Sequence, residues 1–209
     1  MSPVTRIKIC GITRVEDGCQ AAALGADAIG LVFYSKSPRH VSPQQARAVV
    51  AALPPFVSVV ALFVDPTRAE VEAVLAACPI DILQFHGAET PAFCRSFARP
   101  YLKALRVRPG VDVSAYAAQY ADARGLLVDA YVEGLPGGTG QAFDWSLLPH
   151  DLPVPLILSG GLDEHNVARA VASVHPAAVD VSSGVEQSKG IKDAARMAAF
   201  ILGARHGAL

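Results

Sequence analysis

What most constrains this chain is an alternation. Eight short apolar runs recur along it, at Arg6–Cys10, Ala28–Phe33, Val57–Val64, Ile80–Phe85, Tyr101–Leu105, Gly125–Asp129, Pro155–Ser159 and Ala177–Val181. The segments between them are mostly Ala-rich and amphipathic. The runs are continuous, not alternately polar, and several are rich in Val and Ile. That is the pattern of parallel strands covered on both faces. Dividing 209 residues by eight gives about 26 per unit, the βα spacing of a (β/α)8 barrel. The expectation is a near-minimal, single-domain TIM barrel over residues 1–209. An open doubly wound sheet seldom needs eight strands in so short a chain. It would also usually show GxGxxG after its first strand, which is absent.

Helices are expected at Glu16–Leu24 behind Thr13 as N-cap and at Pro43–Leu53 behind Ser42, with Pro at the first helical position. Others are expected at Thr67–Ala77, Thr90–Phe97, Asp112–Tyr120, Glu164–Ala172 behind Asp163, and Lys192–Leu202. A short helix near Phe143 is expected in the Gly-rich stretch after Asp129.

Composition closes off several function classes. At 52% hydrophobic and 18% charged, the chain is not disordered. Lys and Arg total 18 against 19 Asp and Glu, with no basic stripe, so no nucleic-acid partner is expected. The 17 uncharged residues Ala48–Val64 are broken by Pro54-Pro55 and read as a helix end and a strand, not a membrane span. The first ten residues carry no apolar leader segment, so no secretory signal is expected. Cys10, Cys19, Cys78 and Cys94 show no CxxC or metal spacing; reduced thiols in a cytoplasmic protein are expected, with no bound metal. Monomer and homodimer both remain open.

In a barrel, chemistry sits at the C-terminal strand ends. The first run ends Lys8-Ile9-Cys10-Gly11-Ile12-Thr13. Cys10 is either a base or nucleophile at the barrel mouth or a small buried side chain. Lys8, two residues earlier, shares its face and either lowers the thiol pKa or pairs with a carboxylate. Arg39, beside Pro38, is a candidate for bidentate capture of a carboxylate, or a surface charge. His86 is a ligand contact, a proton carrier or a structural hydrogen-bonder. Asp129 ends an apolar strand, where a carboxylate is costly unless paired or used; capping the next loop is the alternative.

Glycine clusters follow the last three strands: Gly134-Leu135-Pro136-Gly137-Gly138-Thr139-Gly140, then Ser159-Gly160-Gly161-Leu162, then Asp180-Val181-Ser182-Ser183-Gly184-Val185-Glu186. Glycine lets backbone approach a ligand closely, and the last two βα loops of a barrel recurrently hold phosphate.

With Ser37-Pro38-Arg39 and Gln84-Phe85-His86-Gly87, these motifs make nearly the whole chain resemble the phosphoribosylanthranilate isomerase family of tryptophan biosynthesis. The resemblance implies a cofactor-free Amadori rearrangement of N-(5-phosphoribosyl)anthranilate to 1-(2-carboxyphenylamino)-1-deoxyribulose 5-phosphate. It implies Cys10 as general base, Asp129 as general acid and Arg39 at the anthranilate end. The substrate-binding candidates are Arg39, His86, Gly137, Gly138, Gly140, Ser159, Gly160, Gly161, Asp180, Ser182, Ser183 and Gly184. The partner implied is a small phosphosugar. Phe85 stands where the family usually has an aliphatic residue, which should affect packing and not chemistry. The histidine-pathway sugar isomerase resembles this reaction but uses two aspartates, one on strand one, and Cys10 argues against it. A non-catalytic phosphate-ligand scaffold would leave Asp129 replaceable.

Overall fold

A computed structural model of the chain describes residues 4–107, 110–129, 145, 148–149 and 151–207. Eight strands carry the fold: β1 (Arg6–Cys10), β2 (Ala28–Val32), β3 (Ser58–Phe63), β4 (Ile82–Phe85), β5 (Tyr101–Arg106), β6 (Gly125–Asp129), β7 (Leu156–Ser159) and β8 (Ala178–Val181). They form a closed barrel in chain order, and every neighbouring pair is parallel. The eight expected strands are therefore the eight observed, β1 and β6 with the expected bounds and the others trimmed or extended by a residue or two. Around them run α1 (Val15–Ala23), α2 (Pro43–Ala52), α3 (Arg68–Ala77), α4 (Pro91–Arg95), α5 (Val113–Gln119), α6 (Val167–Val174) and α7 (Ala194–His206).

Local chemistry sets several of these ends. Ser42 accepts from Gln45 N while the Gln45 side chain accepts from Ser42 N, a reciprocal cap on α2. Thr67 and Glu70 do the same for α3. Thr90 and Asp112 cap α4 and α5. The uncharged stretch Ala48–Val64 splits as its prolines require: α2 stops at Ala52 and β3 begins at Ser58. Among the described residues no helix is long and apolar enough to cross a membrane.

Several helix ends differ from expectation, and α7 runs on to His206, four residues beyond the expected Leu202. Thr13 caps nothing: α1 begins at Val15 behind Arg14, and the Thr13 hydroxyl donates instead to the Gly190 carbonyl. Asp163 accepts from the amides of His165 and Asn166, building a turn, so α6 begins only at Val167. Helix α4 ends at Arg95, where Ser96 Oγ donates to the Phe93 carbonyl and closes the last turn. Lys192 is not helical. A 3₁₀ turn (Ser183–Val185) and a small antiparallel hairpin, β9 (Glu186–Ser188) and β10 (Ile191–Lys192), follow β8, and Asp193 caps α7. The stretch expected to hold a helix near Phe143 lies outside the described residues.

The apolar residues divide into two layers. Val60, Leu102, Ala104, Leu127 and Ile157 fill the barrel interior. The larger cluster lies between strands and helices and includes Ile7, Ile29, Leu31, Phe63, Leu83, Phe85, Val128 and Phe200. Phe85 belongs wholly to that outer layer, its ring against those of Phe63, Phe93, Phe97 and Tyr101 at centroid distances of 6.3, 5.8, 5.9 and 6.2 Å. Replacing Phe85 with Leu is therefore expected to lower the unfolding free energy by about 1–2 kcal/mol. Denaturant titration measures that loss; kcat should stay at the wild-type value, and a changed kcat would contradict the assignment of Phe85 to packing.

Candidate active site

The C-terminal strand ends surround a cavity of about 530 Å³, a size that suits a small-molecule ligand. A second cavity of about 340 Å³ opens at the opposite end, bordered by Val60, Ile82, Leu102 and Ile157 from the strands and by Phe56. Of these two cavities, the first alone adds a thiol and an imidazole to hydroxyl, carboxylate and guanidinium groups among the described residues.

Cys10 ends β1 on the inner face and borders this cavity. Its partner across the sheet is Gly30, and a methyl group there would stand 2.7 Å from Cys10 Sγ and 3.0 Å from Lys8 Nζ. The bare backbone of Gly30 makes room for both side chains inside the barrel. Lys8 Nζ pairs with Asp180 Oδ1 at 2.7 Å, both groups almost fully buried, and Ser159 Oγ donates to Asp180 Oδ2 at 3.2 Å. Burying either charge alone would be prohibitive, so each is the condition for the other. Both roles open to Lys8 are present: it pairs with the Asp180 carboxylate, and its ammonium pulls the Cys10 pKa downward. Burial lowers the Lys8 pKa, but Asp180 and the Cys10 thiol more than offset it, and the net direction is upward. Burial likewise pushes the Cys10 thiol above its ordinary range, with Lys8 and Lys192 opposing without overcoming it.

Asp129 ends β6 across the mouth and borders the same cavity. Its Oδ2 stands 3.5 Å from His86 Nε2. The other ring nitrogen, Nδ1, is 3.2 Å from the Gln84 amide nitrogen. The loop carrying His86 is pinned from behind by a wholly buried ion pair, Lys103 Nζ to Glu89 Oε2 at 2.8 Å. Lys103 also donates to the Gly87 carbonyl at 2.6 Å, and Glu89 accepts from the amides of Asp65 and Gly87.

Arg39 reaches the cavity from the loop after β2, beside Ser37 and Tyr34. Its guanidinium already holds a carboxylate: Nε donates to Glu186 Oε1 at 2.6 Å and Nη2 to Oε2 at 2.7 Å. Ser159, Gly160 and Gly161 border the cavity at the end of β7, and Asp180, Ser182 and Ser183 at the end of β8. Gly184 lies in the 3₁₀ turn immediately behind Ser183. Gly137, Gly138 and Gly140 lie outside the described residues.

The fold brings residues expected from the sequence to one cavity from β1, β2, β4, β6, β7 and β8. Gln84 and Arg106, not expected there, also border the cavity, and Glu186 and Lys192 lie behind it. For Gln84 a signal was present: it has the same inward parity on β4 as Val60 and Leu62 opposite it on β3. Nothing local marked Lys192, which read as the start of a helix.

The sequence matches the family described as N-(5'phosphoribosyl)anthranilate (PRA) isomerase over residues 7–202. A Pseudomonas aeruginosa protein named N-(5'-phosphoribosyl)anthranilate isomerase is 63% identical over 199 residues, 95% of this chain and 94% of its own. The crystal structure of phosphoribosyl anthranilate isomerase from Thermotoga maritima superposes with a TM-score of 0.89 at 41% identity, covering 96% of this chain and 98% of that one. A second structure of such an enzyme was solved in complex with reduced 1-(o-carboxyphenylamino)-1-deoxyribulose 5-phosphate. It superposes with a TM-score of 0.85 at 39% identity, with the same coverage.

Proposed function

Because the chain belongs to the N-(5'-phosphoribosyl)anthranilate isomerase family of tryptophan biosynthesis, we propose that it carries out that isomerisation with Cys10 as general base and Asp129 as general acid. The observation that carries this assignment is that a thiol at the end of β1 and a carboxylate at the end of β6 border one cavity, together with hydroxyl and glycine residues from β7 and β8. The substrate on this reading is N-(5-phosphoribosyl)anthranilate and the product 1-(2-carboxyphenylamino)-1-deoxyribulose 5-phosphate.

The chemistry explains the choice of groups. Opening the ribose ring needs a proton on the ring oxygen, which Asp129 supplies, leaving a Schiff base at C1. The Schiff base acidifies the C2 hydrogen and acts as the electron sink, so no metal or cofactor is called for. The Cys10 thiolate removes the C2 proton to give an enolamine. Loss of the enol hydrogen and protonation at C1 give the ketone. His86, 3.5 Å from Asp129, borders the acid end. The loops after β7 and β8, through Ser159, Gly160, Gly161, Ser182, Ser183 and Gly184, hold the phosphate, joined by Gly137, Gly138 and Gly140. Asp180, committed to Lys8 and Ser159, acts on the site through those partners.

Arg39 takes the anthranilate carboxylate. Arg39→Ala is expected to raise KM about tenfold or more with a much smaller change in kcat, since a charge-assisted contact made equally in ground and transition states is lost. Steady-state kinetics with the purified protein measures this, and an unchanged KM would remove Arg39 from the substrate. Inorganic phosphate should inhibit competitively; noncompetitive inhibition would count against the loops as the anion site. We further read the protein as cytoplasmic, acting on a small phosphosugar without a nucleic-acid or membrane partner. Every residue of the proposed site comes from one chain, so monomer and homodimer serve it equally.

A further inference from the structure

Arg39 is held more firmly than a surface arginine requires. Its stem crosses Gly11, whose φ is +74°, and a methyl group there would stand 2.5 Å from Arg39 Cδ and 2.9 Å from Ser182 Oγ. Beyond that crossing the guanidinium forks onto Glu186 at 2.6 and 2.7 Å. The Glu186 carboxylate is nearly buried, and its Oε1 also accepts from Lys192 Nζ at 3.0 Å. Lys192, with its side chain wholly buried, donates as well to the Ser182 carbonyl at 3.0 Å and approaches the Ser182 hydroxyl at 3.5 Å. Glu186 and Lys192 thus touch a residue at each side of the cavity while bordering it themselves nowhere.

The hairpin that carries them is itself fastened. Arg196 Nη1 donates to the Glu186 carbonyl at 2.9 Å, and Asp17 Oδ2 accepts from Lys192 N at 3.1 Å. The Thr13 hydroxyl reaches the Gly190 carbonyl at the hairpin turn. Charge adds a second argument. Two cations, Arg39 and Lys192, share one carboxylate, so the trio keeps a net positive charge behind a cavity suited to anions. The fork engages Nε and Nη2 of Arg39 and leaves Nη1 outside it.

We propose that Glu186 and Lys192 are a positioning pair. Glu186 sets the Arg39 guanidinium for the carboxylate end of the substrate, and Lys192 ties that setting to the Ser182 loop at the phosphate end. The spacing between the two anion-binding ends is then fixed before substrate arrives, as a preorganised site requires. The inference rests on the reading of Arg39 as the contact for the substrate carboxylate.

The test is a double-mutant cycle read through KM and kcat separately. Glu186→Gln should raise KM about tenfold or more while kcat changes by less than about threefold. In an Arg39→Ala background, Glu186→Gln should add nothing to KM, whereas a merely structural role would add its own loss. Additive effects would overturn the proposal. Lys192→Met should weaken inhibition by inorganic phosphate; an unchanged inhibition constant would overturn the tie to Ser182. Glu186→Gln leaves Lys192 buried without its counter-charge, so Glu186→Gln/Lys192→Met, which removes both charges, is measured beside it. A wild-type KM in that variant would also overturn the pair. Arg39→Ala alone separates the two levels. If it leaves KM unchanged, the carboxylate reading fails; if it raises KM while Glu186→Gln does not, only the positioning pair fails.

Discussion

In Asp129→Asn, kcat should fall by at least about 10², within the 10²–10⁴ range that a positioned proton-transfer group contributes. The substitution keeps the shape of the side chain and removes only its capacity to donate and recover the proton. The geometry around it should persist, because His86 is held from its other side by Gln84 and from behind by the Lys103–Glu89 pair. Competitive inhibition by inorganic phosphate should therefore remain near the wild-type value, since most of the proposed phosphate contacts follow β7 and β8 and Asp129 itself is not among them. Loss of turnover with retained phosphate binding is the signature of a missing acid. Wild-type turnover would leave Asp129 without a catalytic role and would favour the phosphate-binding scaffold reading.

Cys10→Ala should lower kcat by a comparable factor of at least about 10². This variant adds a second readout because the thiol is perturbed. Burial raises the Cys10 pKa, while the ammonium groups of Lys8 and Lys192 oppose that rise and the Asp180 carboxylate reinforces it. A base must be deprotonated to act, so the fraction of active free enzyme grows as pH rises toward the thiol pKa. The wild-type kcat/KM should then climb from neutral pH through the ordinary thiol value of about 8.5 before it levels. The residual activity of Cys10→Ala should lack that rise. A flat wild-type profile between about pH 7 and 9 would mean that the titration of Cys10 does not limit the reaction.

Much of the fold was legible because its causes are local. A parallel strand buried on both faces must be apolar throughout, and Ser42, Thr67, Thr90 and Asp112 can cap a helix whatever surrounds it. Where tertiary contacts compete, the local reading failed. The Thr13 hydroxyl is drawn to Gly190, 177 positions away, and Asp163 builds a turn before α6. Lys192 has no helical role because its amide is taken by Asp17 and its ammonium by Glu186. The candidate site followed the same division. Cys10, His86, Asp129, Ser159 and Asp180 could be expected at one cavity because residues at the C-terminal strand ends of a barrel share its mouth whatever their partners are. Glu186 and Lys192 were not, because their roles exist only in contact with Arg39 and Ser182.

By itself the sequence determined the strand count, their parallel burial and therefore the barrel. Closure of the barrel in turn dictates that residues ending different strands share one mouth. These follow from periodicity and from the rule that backbone groups in a buried strand must find partners in neighbouring strands. Only the tertiary structure decided which charges meet. Lys8 and Asp180 lie 172 positions apart and Arg39 and Glu186 147 apart, and no local pattern distinguishes them from unpaired charges. Burial makes an isolated charge costly, so the folded chain must supply each with a counter-charge at hydrogen-bond distance. That requirement is satisfied in three dimensions, and it turns an arginine that by its local sequence read first as surface charge into one held at the edge of the cavity.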